Sequence, residues 1–424
     1  MMNRRYLIRS AVAGAAAANI GRAANDRVNL AVIGLRTQGK SLAGHFASAG
    51  AEILYLVDVD ERVLSSVAGG FEQKFGKRPK TAGDLRRVLD DKSVDAVVIA
   101  APDHWHAPAT ILACDAGKDV YVEKPCSHNA REGRLMIEAA RRNRRIVQHG
   151  TQARSRANTR RAIEYVHSGK IGRVLMAKAW NVQLRRDIGH KDDAPVPPGV
   201  DYDSWVGPAP WQPFNENRFH YSWHWNWNFG TGDLGNDGAH QIDQARWALG
   251  VDYPLEVAGL GRKLFFRDDS QTPDTITITF NYPEKVLMFE MRIWNPYRLE
   301  GVDNGVAIYG SEGMVHIGRW DDGSSGFKVF DRQGKLLLFD NEGGQDKAAH
   351  VQNFLDCVRS RRAPNADIEI GHVSALHCHL GNIVARTGRA VKFDARTETI
   401  PGDSEANGLL RREYRSHWAT PKGV

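Results

Sequence analysis

Two residues in this chain have the types and settings for proton and hydride chemistry. His240 sits in "GDLGNDGAHQIDQARWALG" (232–250), a helical run after a glycine-rich start. Asn236, His240 and Gln244 are four apart, which sets them on one helix face. A histidine titrates near neutral pH, so it can take the proton of an alcohol. The bland alternative is a helix-face histidine satisfied by the backbone. Lys124 stands in "VYVEKPCS", just after an apolar strand-like run. A lysine at the end of a parallel strand can donate to a substrate hydroxyl or a cofactor ribose, and its charge can help a nearby base. The bland alternative is a surface lysine before a proline. The histidines of "HCH" (His377, His379) point apart on a helix, so core or surface roles outweigh metal binding, and no catalytic metal is expected.

These residues need a scaffold. "RVNLAVIG" (27–34) is a buried-strand pattern ending in a turn, and a helix follows from about Gln38 to Ala49. "AEILYLVDVD", "VDAVVIAAP", "KDVYVEKP" and "RRIVQHG" continue the apolar runs, with amphipathic stretches such as "NAREGRLMIEAARRN" between them. This alternation predicts a parallel sheet with helices on both faces, over residues 25–151. The first turn reads "GLRTQG": Gly34 and Gly39 match the first and third glycines of a dinucleotide fingerprint, and Arg36 replaces the middle one. Asp58 closes the next strand 24 residues after Gly34, where an acid accepts ribose hydroxyls and repels a 2′-phosphate. The order strand, turn, helix, strand, acid points to NAD. NADP stays open, because Arg36 and Arg62 could serve a phosphate.

The second half (152–424) reads differently. "GRVLMAKAWNVQ", "LEVAGLGRKLFF", "DTITITFNY", "KVLMFEMRIW", "GVAIYG" and "GMVHIG" are strand-like, and "AAHVQNFLDCVRSR" is helical. "HYSWHWNWNFG" (220–230) alternates tryptophans with polar residues, as one face of an extended segment would. Core burial is the usual fate of such rings. Because this stretch runs straight into the start of the His240 helix, Trp225 and Trp227 are taken as pocket-wall candidates, with His224, Asn226 and Asn228 as hydroxyl partners.

On the first turn, "APDHWHAPAT", the "EKP" triplet and "GTGDLGNDGAHQID", the chain resembles the Gfo/Idh/MocA oxidoreductases. The resemblance implies an N-terminal Rossmann domain and a C-terminal α/β domain with an open, largely antiparallel sheet that often pairs subunits. It implies His240 as acid/base and Lys124 as its companion in the oxidation of a sugar or polyol. It places Glu123 and the Pro102–His106 loop beside the cofactor. Gln152, Asn236 and Asp237 are the expected substrate contacts, and Arg154 is a further candidate. One departure stands out: the family commonly has an acid four residues before the histidine, and this chain has Asn236, which orients but takes no proton.

The first 24 residues hold Arg4, Arg5, Arg9 and Arg22 and no acid, and "RRYLIR" resembles a twin-arginine export motif. Without them 53 basic groups face 50 acidic ones, too mild an excess to argue for nucleic acid. No stretch is apolar enough for a membrane span. The four cysteines form no CxxC pair, so a disulfide scaffold is excluded, although one bridge stays open. An exported enzyme has no free NAD pool. The expectation is a tightly held cofactor, recycled by a second substrate, in a periplasmic or secreted homo-oligomer that acts on a carbohydrate. Two alternatives stand beside it: an NAD-dependent glycosidase that oxidises a sugar carbon transiently, and a sugar-binding protein without catalysis.

Overall fold

The computed structural model describes residues 27–343 and 347–424. The export segment expected at 1–24 lies outside the described residues.

In chain order the first half forms β1 (Asn29–Ile33), α1 (Gln38–Ser48), β2 (Glu52–Val57), α2 (Glu61–Phe75), β3 (Lys80–Ala82) and α3 (Arg86–Leu89). Then come β4 (Ala96–Ile99), α4 (Asp103–Asp115), β5 (Asp119–Val122), α5 (Ala130–Arg142) and β6 (Val147–His149). The strands form one sheet in the order β3-β2-β1-β4-β5-β6, all parallel. β4 and β5 are buried at every residue, which is why they read as unbroken apolar runs. The order reverses between β1 and β4, so a crevice opens at their carboxyl ends, where such sheets bind ligands. Two details depart from the sequence reading. β3 is a three-residue strand with two exposed positions, too short to show a pattern. α4 starts at Asp103, so "DHWH" is its first turn and no longer a loop.

The second half contains α6 (Ala157–His167), β7 (Val174–Val182), α7 (Tyr202–Val206), α8 (Ala239–Leu249), β8 (Glu256–Arg262), β9 (Thr275–Asn281) and β10 (Val286–Arg292). It continues with β11 (Asn304–Gly310), β12 (Gly313–Arg319), β13 (Ser325–Asp331), β14 (Leu336–Asp340), α9 (Ala348–Ser360), α10 (Ile368–Thr387) and β15 (Val391–Lys392). Nine strands form an open sheet in the order β14-β13-β12-β11-β7-β10-β9-β8-β15. Only β7 and β10 pair in parallel. On β9 and β10 the residues Ile276, Ile278, Phe280, Leu287, Phe289 and Met291 are buried while their neighbours are not, the period of two of a sheet covered on one side. α8 and α10 supply that cover: Ile242, Ala245, Leu376 and Leu380 share the core with these strands.

The two halves are stitched together. α9 returns to the first sheet, where the Phe354 ring lies 5.8 Å from Phe46 and 6.0 Å from Tyr121. Residues between β7 and α8 form a separate aromatic cluster of Tyr202, Trp205, Phe214, Phe219 and Phe229 beside the crevice. All four cysteines are free and buried.

Candidate active site

The crevice widens into a cleft of about 650 Å³ between the first sheet, the aromatic cluster and the second sheet. At one end lies the first turn. Gly34 has φ +82°, and a Cβ there would come within 2.6 Å of the Ala101 backbone. A Cβ on Gly39 would sit 1.7 Å from the Gly34 carbonyl oxygen. The two retained glycines are thus the two that packing requires. Position 36 has no such requirement, so Arg36 is tolerated, and its side chain lines the cleft. Asp58 accepts the Leu35 N–H at 2.7 Å and the Asp60 N–H at 3.0 Å. It pins the turn to the end of β2 and keeps acceptor lone pairs on the cleft side. Burial raises its pKa, against those two hydrogen bonds. Arg62 is paired with the buried Asp60 at 3.0 Å and does not line the cleft. A tight glycine turn opening a helix, with an acid at the next strand end, suits an adenine dinucleotide. Gly34, Arg36, Gly39, Asp58 and Pro102 would hold it.

Glu123 is 4% exposed. Its carboxylate accepts from Gln38 at 2.7 Å, Gln152 at 3.1 Å and Tyr121 at 3.3 Å, so it ties the start of α1 to β5 and to the segment after β6. A Cβ on Gly150 would lie 2.9 Å from this carboxylate, so that glycine leaves it room. Glu123 therefore braces the cleft wall, and Gln152 braces Glu123. His106 does the same one loop away: its ring nitrogens face the carbonyls of Pro125 (2.6 Å) and Ala101 (2.8 Å), and burial pushes its pKa down to about 4. It clasps the loop before α4 to the "EKP" loop while lining the cleft.

Lys124 follows. Its Nζ donates to Asn236 Oδ1 at 2.8 Å and to the Asn236 carbonyl. An ammonium has three donors, so one remains for a ligand. Asn236 lies in a π turn, Leu234–Gly238, that precedes α8. This wider turn breaks the simple spacing-by-four of the sequence argument, yet Asn236, His240 and Gln244 all line the cleft. Asn236 Nδ2 reaches the buried Asp233 at 3.3 Å. The family's acid is thus absent from position 236, and an acid stands one hydrogen bond behind it. Arg185 bridges Asp233 (2.7 Å) and Asp237 (2.5 Å). Burial opposes the charge on Asp233, but Arg185 and the Trp225 indole N–H prevail and hold its carboxyl low. Asp237 goes the other way: burial raises it, and the Asp233 charge adds to that.

The His240 imidazole is half-buried and makes no hydrogen bond among the described residues. Burial, and next the Lys124 charge, hold its pKa well below the ordinary histidine value. A neutral, unpaired ring facing a cleft is ready to accept a proton.

"HYSWHWNWNFG" is not extended. Ser222–Trp225 is a 3₁₀ turn, and the chain folds back so that Gly230 N–H bonds to the Asn226 carbonyl at 2.8 Å. A Cβ on Gly230 would lie 2.5 Å from the His224 carbonyl, so glycine permits the fold-back. As a result His220, Tyr221, Trp223 and His224 line the cleft, the last two with their rings stacked at 3.6 Å. Trp225 and Trp227 do not line the cleft. Trp225 is buried and bonded to Asp233 at 2.8 Å, and Trp227 lies under the Arg386 guanidinium at 5.0 Å. Asn226 Oδ1 accepts the Asn228 N–H, and the Asn228 side chain donates to the Pro210 carbonyl and accepts from Arg412. Arg154 is also withdrawn, paired with the buried Asp243 at 2.9 Å.

Sequence reasoning assigned no individual role to several cleft residues, among them Asp103 and Arg156. Asp103, the first residue of α4, is buried and accepts Thr231 Oγ1 at 2.7 Å. Burial lifts its carboxyl to about 7 despite the Lys124 charge. Its place at a strand's carboxyl end was the available signal. Arg156 is the other, and nothing in its local sequence marks it.

A Rossmann crevice that ends on a neutral histidine and on a lysine with one donor left is a two-domain, dinucleotide-binding oxidoreductase-family architecture. Within that class the chain belongs to the Gfo/Idh/MocA family. Residues 28–151 match its oxidoreductase-family NAD-binding Rossmann fold, and residues 178–281 and 340–420 match its C-terminal alpha/beta domain. The chain is similar to myo-inositol 2-dehydrogenase of Thermotoga maritima, 24% identical over 87% of this chain and 99% of that protein. It is also similar to levoglucosan dehydrogenase of Pseudarthrobacter phenanthrenivorans, 29% identical over 42% of this chain and 38% of that protein. The matches to that enzyme and to two inositol 2-dehydrogenases span 36–49% of those proteins' lengths. Among solved structures, the aldose-aldose oxidoreductase of Caulobacter crescentus in complex with glycerol shares the fold. Its TM-score is 0.66 at 20% identity, over 87% of this chain and all of that one.

Proposed function

We propose that this protein is an exported oxidoreductase that oxidises a secondary alcohol of a sugar or sugar-derived polyol, with NAD held tightly in the cleft. The observation that carries this reading is the pair Lys124 and His240. One offers a spare ammonium donor and the other an unpaired neutral imidazole, both in the cleft of an NAD-binding domain. When bound there, NAD supplies a nicotinamide ring that accepts or returns a hydride. The substrate hydroxyl accepts the third Lys124 N–H and gives its proton to His240 as the carbon–hydrogen bond breaks. Asn236 keeps Lys124 in position. Trp223 offers an aromatic surface to the sugar's C–H face.

Tight retention is supported by what covers the cleft. The aromatic cluster supplies Trp205 and Phe219, and Trp418 from the C-terminal segment closes another part of the wall. Trp418 is pinned there by the Arg86 guanidinium, 4.2 Å from its ring. NAD is preferred over NADP because Asp58 holds the ribose position and Arg62 is committed to Asp60. Export rests on the "RRYLIR" segment. A homo-oligomer is supported by edge strand β14, where Leu336, Leu337, Leu338 and Phe339 are all exposed.

The test is the absorbance and fluorescence of the purified protein. Bound NAD(H) that changes redox state on adding a sugar upholds the reading. Bound NAD with release of an aglycone from a chromogenic glycoside replaces it with a redox-neutral glycosidase. No bound or bindable nucleotide leaves a sugar-binding protein.

A further inference from the structure

Arg156 presents an unusual electrostatic situation. It is half-buried on the cleft wall, and its Nε is out of solvent with no hydrogen-bond partner. Among the described residues its guanidinium makes no ion pair. Arg154, two residues earlier, shows the ordinary solution, a bidentate pair with Asp243. Burial lowers the Arg156 pKa, and no carboxylate among the described residues offsets it. A guanidinium stays charged in a protein, so this one is a half-buried charge with no counter-ion among the described residues. Two acids that share the cleft wall make other contacts and no ion pair with Arg156. Asp237 is held by Arg185, and Asp303 accepts the Asn304 backbone N–H at 2.8 Å.

The position along the cleft separates two candidate anions. Arg36, at the glycine turn, acts electrostatically on Asp58 and His220. Arg156 acts on His240, as Lys124 does. Arg156 also follows Arg154 by two residues, and Arg154 is tied at 2.9 Å to Asp243 on the helix that carries His240, so Arg156 belongs to the reacting end, away from the glycine turn. Elsewhere on the cleft wall, Gln241, the residue after His240, and Asn304 each carry a buried side-chain oxygen with no hydrogen-bond partner. Unpaired acceptors suit hydroxyl donors, and an unpaired guanidinium suits a compact anion.

We infer that the substrate is an acidic sugar, with a carboxylate or phosphate seated on Arg156 and hydroxyls donated to Gln241 and Asn304. This rests on the dehydrogenase reading of the cleft and narrows its substrate class. A carboxylate engages the guanidinium in two parallel hydrogen bonds, which fixes the sugar's orientation as well as its affinity. The anion also supplies the counter-charge that the folded cleft lacks. Binding of such a substrate should weaken as salt rises, but less than an exposed pair would, because the site is screened from solvent.

The test is calorimetric binding to the NAD-loaded protein, with sugars paired by charge. The pairs are D-glucuronate with D-glucose, D-galacturonate with D-galactose and D-mannuronate with D-mannose, and glucose 6-phosphate serves as the phosphate arm. At least one acid should bind about 10–100-fold tighter than its neutral partner. Arg156→Gln should abolish that difference by weakening the acid, while Arg156→Lys should keep part of it. Whether glucuronate or glucose 6-phosphate is the stronger arm tells carboxylate from phosphate. A wild-type panel indifferent to charge, or an Arg156→Gln protein that still prefers acids, overturns the inference. NADH fluorescence recorded on the same samples tests the parent reading separately. Acid-selective binding without any redox change would keep the anion seat and remove the dehydrogenase. A redox change with neutral sugars alone would do the reverse.

Discussion

Lys124 Nζ lies 2.8 Å from Asn236 Oδ1 and also donates to the Asn236 carbonyl, so one residue takes two of its three donors. This replaces the acid-to-histidine relay common in the family with a lysine-positioning device. Asn236→Ala should free the ammonium and lower turnover by about 10–100-fold. Asn236→Asp accepts the same bond and should retain most of the rate. Steady-state kinetics on the substrate found by the redox test would decide. Equal loss in both variants would contradict the positioning role.

Removal of either reacting group should be more severe. Lys124→Ala and His240→Ala are expected to lower turnover by about 10²–10⁴-fold with NAD still bound. Stoichiometric NAD loss in both would make them binding residues instead.

The pH profile follows from the direction of the His240 shift. Burial and the Lys124 charge depress its pKa, so the ring stays a base below the ordinary histidine value of about 6.5. The acid limb of kcat/KM should therefore fall below pH 6.5. In Lys124→Ala one depressing charge is gone, and the residual activity should show that limb moved to higher pH. A limb that stays put would separate His240 from Lys124.

Several other histidines carry a stability prediction. Burial depresses His104, His149, His377 and His379 to about 3, and His106 and His350 to about 4. As pH drops below about 6.5 the unfolded chain binds these protons and the folded one does not, so stability is lost from there down toward pH 4. The thermal midpoint should be flat above pH 6.5 and fall steeply between 6.5 and 4. A flat profile through pH 5 would show that these rings are not held neutral in the fold.

Two glycines of α1 should behave oppositely. Gly39→Ala forces a Cβ against the Gly34 carbonyl and should cost about 1–3 kcal/mol, with NAD affinity lost as the turn shifts. A Cβ on Gly44 meets nothing within 4 Å, so Gly44→Ala should stabilise by about 0.5–1 kcal/mol. Thermal melts and an NAD titration read both.

The tryptophan segment offers a direct comparison. Trp223→Ala should weaken sugar binding by about 3–10-fold and leave the fold intact. Trp227→Ala should not affect binding, because Arg386 and not the cleft faces its ring. Trp225→Ala should act through Asp233, lowering stability as well as binding.

The sequence was informative where physics is local. Gly34 and Gly39 are demanded by a tight turn, β4 and β5 by burial on both faces, and β9 and β10 by burial on one. Each of these leaves a period or an obligatory residue in the text. Lys124 and His240 were legible because strand ends and glycine-rich helix starts are where such sheets gather chemistry. What depends on partners distant in sequence was not legible. Arg154 and Arg156 look alike in the chain, and only the fold gives Asp243 to one and nothing to the other. Trp223, Trp225 and Trp227 alternate as a strand would, until Gly230 lets the backbone turn over itself and exchanges the wall residue for the buried one. Asn236 reads as a lost acid until Lys124 is found in its place as the bonded partner. Periodicity and turn chemistry act within a few residues and are written into the sequence. Charge pairing depends on contacts between segments far apart in the chain, 89 residues for Arg154 with Asp243 and 112 for Lys124 with Asn236, and only the tertiary structure decides them.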